Sequence, residues 1–221
     1  MKQSGYIFLI LLLPLSSLFA QETRFSLSTD GNILRSLRKQ QRFWAIGQTV
    51  TGHFHFTPRN EAYAWLVYYT NGIFQNQLNA TAKQPATTPQ QIAFTNKARM
   101  RIVQISLGWK HYLKGSCNSE EKWNLYGSAG WGLMIGRIEN THSVKIDTST
   151  YNVQVLEGSS HFKRLTADFT LGYEKPVGAD FFLYLEGRAL VPITDYPSRF
   201  IYIYDNAPFV GSVNLGIRIL F

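Results

Sequence analysis

The feature that most constrains this chain is a period of two in its apolar residues. In residues 123–140, WNLYGSAGWGLMIGRIEN, the odd positions from Trp123 to Ile135 are largely apolar, whereas most of the even positions are small or polar. Successive side chains of a strand point to opposite faces, so this pattern predicts a strand with one apolar and one small polar face. The run is longer than the usual strand of a soluble protein.

The same alternation predicts eight strands in all. They are 24–30, 42–56, 61–72, 98–115, 123–140, 164–175, 181–194 and 212–221. The registers of 24–30 and 61–72 stay open, because the first is short and the second is apolar on both faces. The connections alternate between short ones, at 57–60, 115–122 and 175–180, and long ones, at 31–41, 73–97, 140–162 and 195–206. This alternation is typical of an up-and-down outer-membrane barrel with short periplasmic turns.

The first residues predict export. Residues 1–20 combine an early Lys2, an apolar run from Tyr6 to Leu13 and small residues up to Ala20, which is the pattern of a signal peptide. The apolar run is shorter than a spanning helix needs, and Pro14 interrupts it. The next residue is Gln21 rather than Cys, which argues against a lipid-anchored lipoprotein. We therefore expect residues 21–221 to form one exported barrel domain.

Charge and cysteine content narrow the partners. The chain has 22 basic and 14 acidic residues, and loss of Lys2 with the signal lowers its formal charge of +8 by one. An exported chain rarely meets nucleic acid, so phosphate-bearing lipid headgroups are the nearer polyanion. The single cysteine, Cys117, cannot form an internal disulfide, and its role stays open.

The two faces of the strands decide between two kinds of barrel. A soluble lipocalin-type barrel packs its apolar face inward around a ligand. Here the polar face carries seven charges that do not suit an apolar pocket: Lys110, Arg164, Asp168, Glu174, Glu186, Arg188 and Arg218. With those charges inside, the outer surface is an apolar band that only lipid can cover. The predicted fold is an all-β, eight-stranded antiparallel up-and-down transmembrane barrel.

The C-terminal stretch SVNLGIRILF ends an alternating strand on Phe221. In this the sequence resembles the small eight-stranded outer-membrane barrels grouped around outer-membrane proteins A and X. The resemblance covers residues 24–221 in architecture, without an interior motif. It implies that Phe221, preceded by Ile219, Ile217 and Leu215, is the signal read by the barrel-assembly machinery.

The inward charges predict a buried network. Five of them lie at similar depth on the predicted strands: Lys110, Asp168, Glu186, Arg188 and Arg218. Taking such charges out of water is costly unless they pair. We expect Asp168 and Glu186 to pair with Arg188, Arg218 or Lys110.

The predicted outer rim carries Arg99, Arg101 and Arg137, which could hold lipopolysaccharide phosphates, although a solvated rim is equally consistent. Loops 140–162 and 195–206 contain alternating β-branched or aromatic runs, SVKIDTSTYNVQVLE and FIYIY. These could offer an edge to a surface partner by strand addition. The alternative, a solvated hairpin closed by its own neighbouring strand, is favoured because proteins protect their edges.

The function predicted from these features is non-enzymatic: a monomeric outer-membrane barrel for membrane integrity or surface interaction through its loops. His53 and His55 share one strand face, but two histidines without further ligands are explained as well by a polar lumen, so no metal or cofactor is predicted. A lipid A-modifying enzyme is one alternative, although the compact His and Ser motif of the deacylases is not evident. A narrow pore is the other, disfavoured by a paired lumen.

Overall fold

The computed structural model describes residues 24–38, 41–119, 122–178, 180–194, 198–201 and 209–221. The predicted signal peptide, residues 1–20, lies outside these ranges. The strands are β1 (Arg24–Ser36), β2 (Trp44–Thr57), β3 (Asn60–Ala82), β4 (Gln91–Lys114), β5 (Asn124–His142), β6 (Tyr151–Asn152), β7 (Gly158–Pro176), β8 (Phe181–Pro192) and β9 (Val210–Leu220). Within the described ranges, no helix is long and apolar enough to cross a membrane.

Eight of these strands form a closed antiparallel barrel, as the sequence predicted. Each barrel strand pairs with its neighbours in the chain, and β9 closes the sheet against β1 from Ser26↔Leu220 to Ser36↔Val210. The two-residue β6 is not one of the eight barrel strands. It pairs with the end of β3. Strands β2 and β3, β4 and β5, and β7 and β8 are joined at the end that holds Arg24 and Phe221, which by analogy with known barrels is the periplasmic end.

The outer surface of the barrel is apolar over a continuous band, which we call the apolar belt. It includes the faces predicted to point outward, with exposed side chains on every barrel strand: Ile33, Ile46, Leu66, Ile105, Leu107, Trp131, Leu133, Leu165, Phe169, Leu171, Leu183, Leu185, Val213, Leu215 and Ile217. A band of this size has no soluble counterpart, and lipid is the solvent that fits it.

Aromatic side chains gather at the periplasmic edge of the belt. The rings of Phe56 and Trp109 stack with centroids 5.2 Å apart, and the ring of Phe25 lies 5.3 Å from that of Phe54. Aromatic girdles of this kind mark the membrane interfaces of outer-membrane barrels. The girdle fixes the height at which the barrel sits in the bilayer.

The predicted long loop at 73–97 is wrong in most of its length. β3 continues to Ala82 and β4 starts at Gln91, so the two strands form a hairpin that projects beyond the belt. The pairing of β3 with β4 shifts between Tyr69 and Gly72, and both of these residues face inward. This bulge inverts the alternation, which is why the pattern read from the lower part of β3 stops near residue 72.

The lumen has two halves. The periplasmic half is polar, with buried side chains that include Ser26, Ser28, Asp30, Thr49, His53, His55, Glu61, Lys110, Asn124, Asp168, Glu174, Glu186, Arg188, Asn214 and Arg218. The extracellular half is an apolar core formed by Leu34, Trp65, Val67, Tyr69, Met100, Ile102, Met134, Ile138, Phe162, Leu190 and Val210, among others. The polar lumen predicted from the alternation is therefore mainly the lower part of the interior, although Arg164 is buried opposite Met134 in the upper part.

The loop between β5 and β7 covers the inner face of the projecting hairpin. Tyr151 and Val155 pack there against Leu78, Ala80 and Phe94 as a second small apolar core. The predicted loop 140–162 is shorter in the structure, because β5 continues to His142 and β7 begins at Gly158. Residues 143–157 contain β6, which pairs with the end of β3. Predicted loop 195–206 falls largely outside the described residues.

A turn stabilises the top of this loop. Ser149 and Thr150 donate hydroxyl hydrogen bonds to the Asp147 carboxylate, at 2.7 Å in each case. These bonds lower the pKa of Asp147 to about 2. Lys83 ties the turn to the hairpin through a 2.8 Å bond from its Nζ to the carbonyl of Thr148.

Candidate functional sites in the lumen and at the outer rim

The structure brings Glu186 and Arg188 together. Nη2 of Arg188 donates to Oε2 of Glu186 at 2.9 Å, and the hydroxyl of Tyr126 donates to the other carboxylate oxygen at 2.8 Å. The two charges are on one strand, two residues apart, rather than across adjacent strands. The guanidinium also lies 4.4 Å from the ring centroid of Trp65, where the lower and upper halves of the lumen meet.

Arg218 pairs with a different carboxylate, Glu174. Nη2 and Nε of Arg218 lie 2.7 and 2.8 Å from the two oxygens of Glu174 in a bidentate arrangement. The same guanidinium donates to Ser26 Oγ at 2.9 Å and to the carbonyl of Cys117 at 2.8 Å. One side chain therefore links β1, β7, β9 and the periplasmic turn after β4. That turn folds Cys117 into the lower opening of the barrel.

Lys110 reaches a carboxylate that the sequence reasoning missed, Glu61. Nζ of Lys110 lies 3.1 Å from Oε1 of Glu61. Nδ1 of His53 lies 2.6 Å from the same oxygen, and Nδ1 of His55 lies 2.9 Å from the other. Glu61 is completely buried, so four ionisable groups share one water-excluded place. We call these four residues the Glu61 cluster.

The signal that would have found Glu61 lies in its position on β3. The predicted strand 61–72 is apolar on both faces, so the alternation alone does not set its register. Glu61 shares its face with Tyr63, Trp65 and Val67, all of which are buried. A lone charge at the start of an apolar strand fixes the inward face of a barrel, because lipid does not tolerate it outside.

The expected ion pair of Asp168 is replaced by hydrogen bonds. Tyr63 donates its hydroxyl to Oδ1 of Asp168 at 2.6 Å, and Ser106 donates to Oδ2. Neither Lys110 nor Arg188 is its partner, because Lys110 is engaged by Glu61 and Arg188 by Glu186. Two hydroxyl donors satisfy a buried carboxylate without a nearby cation.

All four ring nitrogens of the two lumen histidines lie against protein groups, and all but Nδ1 of His55 are hydrogen-bonded. His53 Nε2 lies 2.9 Å from Ser28 Oγ, and His55 Nε2 lies 2.5 Å from Ser26 Oγ, while both Nδ1 atoms face Glu61. Within the described ranges, no cluster of three or more His, Cys, Asp or Glu is arranged to hold a metal ion. The arrangement is that of a packed polar interior.

Little space is left between these groups. A cavity of about 20 Å³ lies between the Glu61 cluster and the Glu186 and Arg188 pair. This volume holds about one water molecule. Above it the apolar core fills the barrel, so the described lumen contains a polar layer and an apolar layer in series.

The predicted rim residues Arg99, Arg101 and Arg137 are all exposed on the outer face of the wall. Arg101 and Arg137 stand directly opposite each other on β4 and β5, and Arg99 stands opposite Glu139. On β7, His161 stands opposite Arg137, and Lys163, which the sequence reasoning did not single out, stands opposite Ile135, one outward position closer to the belt. Like charges that face each other directly destabilise a sheet.

Phe221 ends the chain at the periplasmic edge of the belt. Its backbone N–H donates to the carbonyl of Phe25 at 2.8 Å, and the two rings are 6.2 Å apart. The side chain is 67% exposed, so it adds little to the packing of the folded barrel. Its position is compatible with recognition by another protein during assembly.

Comparison with known proteins identifies the fold. The crystal structure of Neisserial surface protein A aligns with a TM-score of 0.58 at 10% identity, over 89% of this chain and 97% of that one. Ail, the attachment invasion locus protein of Yersinia pestis, in complex with the heparin analogue sucrose octasulfate, aligns at 0.49 with 11% identity, over 91% and 100%. OprG from Pseudomonas aeruginosa aligns at 0.48 with 11% identity, over 90% and 96%.

No family model matches the sequence, and no curated protein does. When the sequence identity is as low as it is to Neisserial surface protein A, structural similarity establishes only the fold. The chain has the fold of the small eight-stranded outer-membrane barrels.

Proposed function

We propose that this protein is a non-conducting, non-enzymatic outer-membrane barrel that binds lipopolysaccharide phosphates at its outer rim and thereby stabilises the outer leaflet. The projecting hairpin of β3 and β4, with the loop 143–157 folded against it, is the part available to a surface partner. The outer membrane is the location that the apolar belt and the fold support.

The observation that carries this proposal is a row of cations at the upper boundary of the belt. On β4, β5 and β7 the belt ends at Val103, Ile135 and Leu165, and the next outward residue is a cation in each case. These cations are Arg101, Arg137 and Lys163. Three neighbouring strands therefore each present a positive charge at the first outward position beyond the belt. Phosphates of lipopolysaccharide lie at this boundary and suit guanidinium donors.

The lumen supports a non-conducting role. Arg188, Arg218 and Lys110 are each engaged by a carboxylate, and the cavity among the lower groups has room for about one water molecule. The apolar core above them adds a second barrier. An ion would have to break buried pairs to enter, which is costly.

The rim is tested by replacing two of its cations. Arg137→Gln with Lys163→Gln is expected to weaken lipopolysaccharide binding to the purified barrel about 30-fold, since each cation at an anionic surface contributes about 1 kcal/mol and 1.4 kcal/mol is tenfold. Binding is measured by titration of the folded barrel in detergent at low and high salt. The wild-type affinity should fall with salt, and that of the variant should fall less.

The matched control is Lys175→Gln, which removes an exposed cation from the periplasmic end of the same strand, β7. Its affinity for lipopolysaccharide should equal that of the wild type. Equal losses in the control and in the rim variant would contradict a rim site and indicate a general effect of net charge.

A second candidate function, lipid A deacylation, is favoured by one observation. Ser159 and His161 are exposed on the same face of β7, and Glu139 stands directly opposite Ser159 on β5. These are the residue types of a nucleophile, a base and an orienting acid. Their place beside the cation row would bring them to the lipid A headgroup.

The two functions are distinguished by mass spectrometry of lipid A from cells that express the protein. Under the leading proposal, its mass spectrum shows the full set of acyl chains with the wild type and with Ser159→Ala alike. Loss of an acyl chain with the wild type that Ser159→Ala abolishes would establish the deacylase and refute the non-enzymatic role.

A further inference from the structure

A second lipid-facing feature lies across strands β7, β8, β9 and β1, away from β4 and β5. Here the belt is interrupted by a groove that encloses about 580 Å³. Its floor is formed by small outward residues, Gly187 and Ala189 on β8 and Gly211 on β9. Large side chains bound it on both sides: Phe169 and Leu171 on β7, and Ile33, Leu37 and Trp44 from β1 to β2.

The floor of the groove is open because side chains are missing, rather than because the backbone needs glycine. A Cβ added to Gly187 would meet no atom within 4 Å, and one added to Gly211 would meet only a backbone oxygen at 3.8 Å. Neither glycine has the positive backbone angle that favours this residue. On a lipid-facing wall, larger residues at both positions would bury more apolar area, so the two glycines keep a channel free.

The extracellular end of the groove carries a cation. Arg35 stands directly opposite Gly211 on one side and Trp44 on the other, and its guanidinium lies 4.8 Å from the ring centroid of Trp44. On β1, Arg35 lies between the exposed apolar side chains of Ile33 and Leu37, in the extracellular part of the groove. The groove thus joins an apolar channel in the outer leaflet to a positive charge near its extracellular end.

We propose that this groove is a specific site for one lipid A molecule, with an acyl chain over Gly187 and Gly211 and a phosphate on Arg35. The choice of lipid A follows from the charge and from the leaflet, because the cation is at the extracellular end, where lipid A supplies the phosphates. The proposal rests on the proposed outer-membrane location, but it uses different residues from the rim site. It makes lipid binding a property of two faces of the barrel that meet at β7.

The test counts lipids retained by barrels extracted from the outer membrane in mild detergent, by native mass spectrometry. The wild type is expected to keep one lipid A molecule per barrel after detergent exchange. Gly187→Leu with Gly211→Leu fills the groove and is expected to reduce this retention at least fivefold. Arg35→Gln, which leaves the glycines intact, is expected to reduce it as well.

The matched control is Gly127→Leu. Gly127 is an outward glycine of β5, and a Cβ added there would meet only a backbone oxygen at 3.9 Å. It should retain lipid A as the wild type does. Arg137→Gln with Lys163→Gln should also retain it, so that failure of the rim site and failure of the groove are seen separately. Unchanged retention in both groove variants would overturn the proposal, as would equal retention of phosphatidylglycerol by the wild type.

Discussion

Glu61→Gln is expected to lower the free energy of unfolding of the barrel by roughly 3 to 5 kcal/mol, because it leaves the buried ammonium of Lys110 without its carboxylate. Lys110 is only 3% exposed, so water cannot replace the lost charge. The same substitution removes the negative charge that both His53 and His55 face. The measurement is reversible denaturant unfolding in detergent.

The reason for this large effect is tested by a second substitution. Glu61→Gln combined with Lys110→Met removes both charges, and the double variant should be more stable than Glu61→Gln alone, since no unpaired buried charge remains. Glu139→Gln, an exposed carboxylate at the outer rim, should change stability by no more than about 0.5 kcal/mol. If the two single losses, Glu61→Gln and Lys110→Met, simply add in the double variant, the groups are solvated separately and the lumen is a water-filled pore.

The fold was predictable because side chains that face lipid are apolar, whereas many that face the lumen are polar. Each barrel strand must be apolar outside, and this made the alternation readable from β4 to β9. The hairpin above the membrane was missed because no lipid acts there. Its outward residues, Gln75, Gln77 and Asn79, are polar, as in a loop sequence. In addition, the bulge after Tyr69 inverts which positions face inward and outward.

The site was predictable only in part, because pairing in a barrel depends on strands that are distant in sequence. The inward faces of Lys110, Glu186 and Arg218 follow from alternation alone. Their partners do not: the pair of Glu174 and Arg218 spans β8, which lies between their strands. Long side chains in a narrow lumen reach past the adjacent strand, so nearest-neighbour reasoning assigned Asp168 and Arg218 the wrong partners.

Phe221→Asp is expected to reduce insertion of the barrel severely while changing the stability of the folded protein little. The ring is mostly exposed and its centroid lies 6.2 Å from that of Phe25, so its loss removes little packing. A charge at the membrane interface costs about 0 to 1 kcal/mol. A large defect in cells therefore cannot come from the folded barrel and must come from assembly.

The comparison that isolates this effect uses Phe181→Asp. Phe181 is an exposed aromatic at the same periplasmic edge, at the start of β8, and differs from Phe221 in not being the last residue. Surface amounts are measured in cells, and unfolding is measured on both variants refolded in detergent. If the C-terminal aromatic is the assembly signal, only Phe221→Asp loses surface protein, although both variants unfold like the wild type. Equal surface amounts of the two variants would show that the terminal position carries no signal, since the two substitutions place the same charge at the same edge.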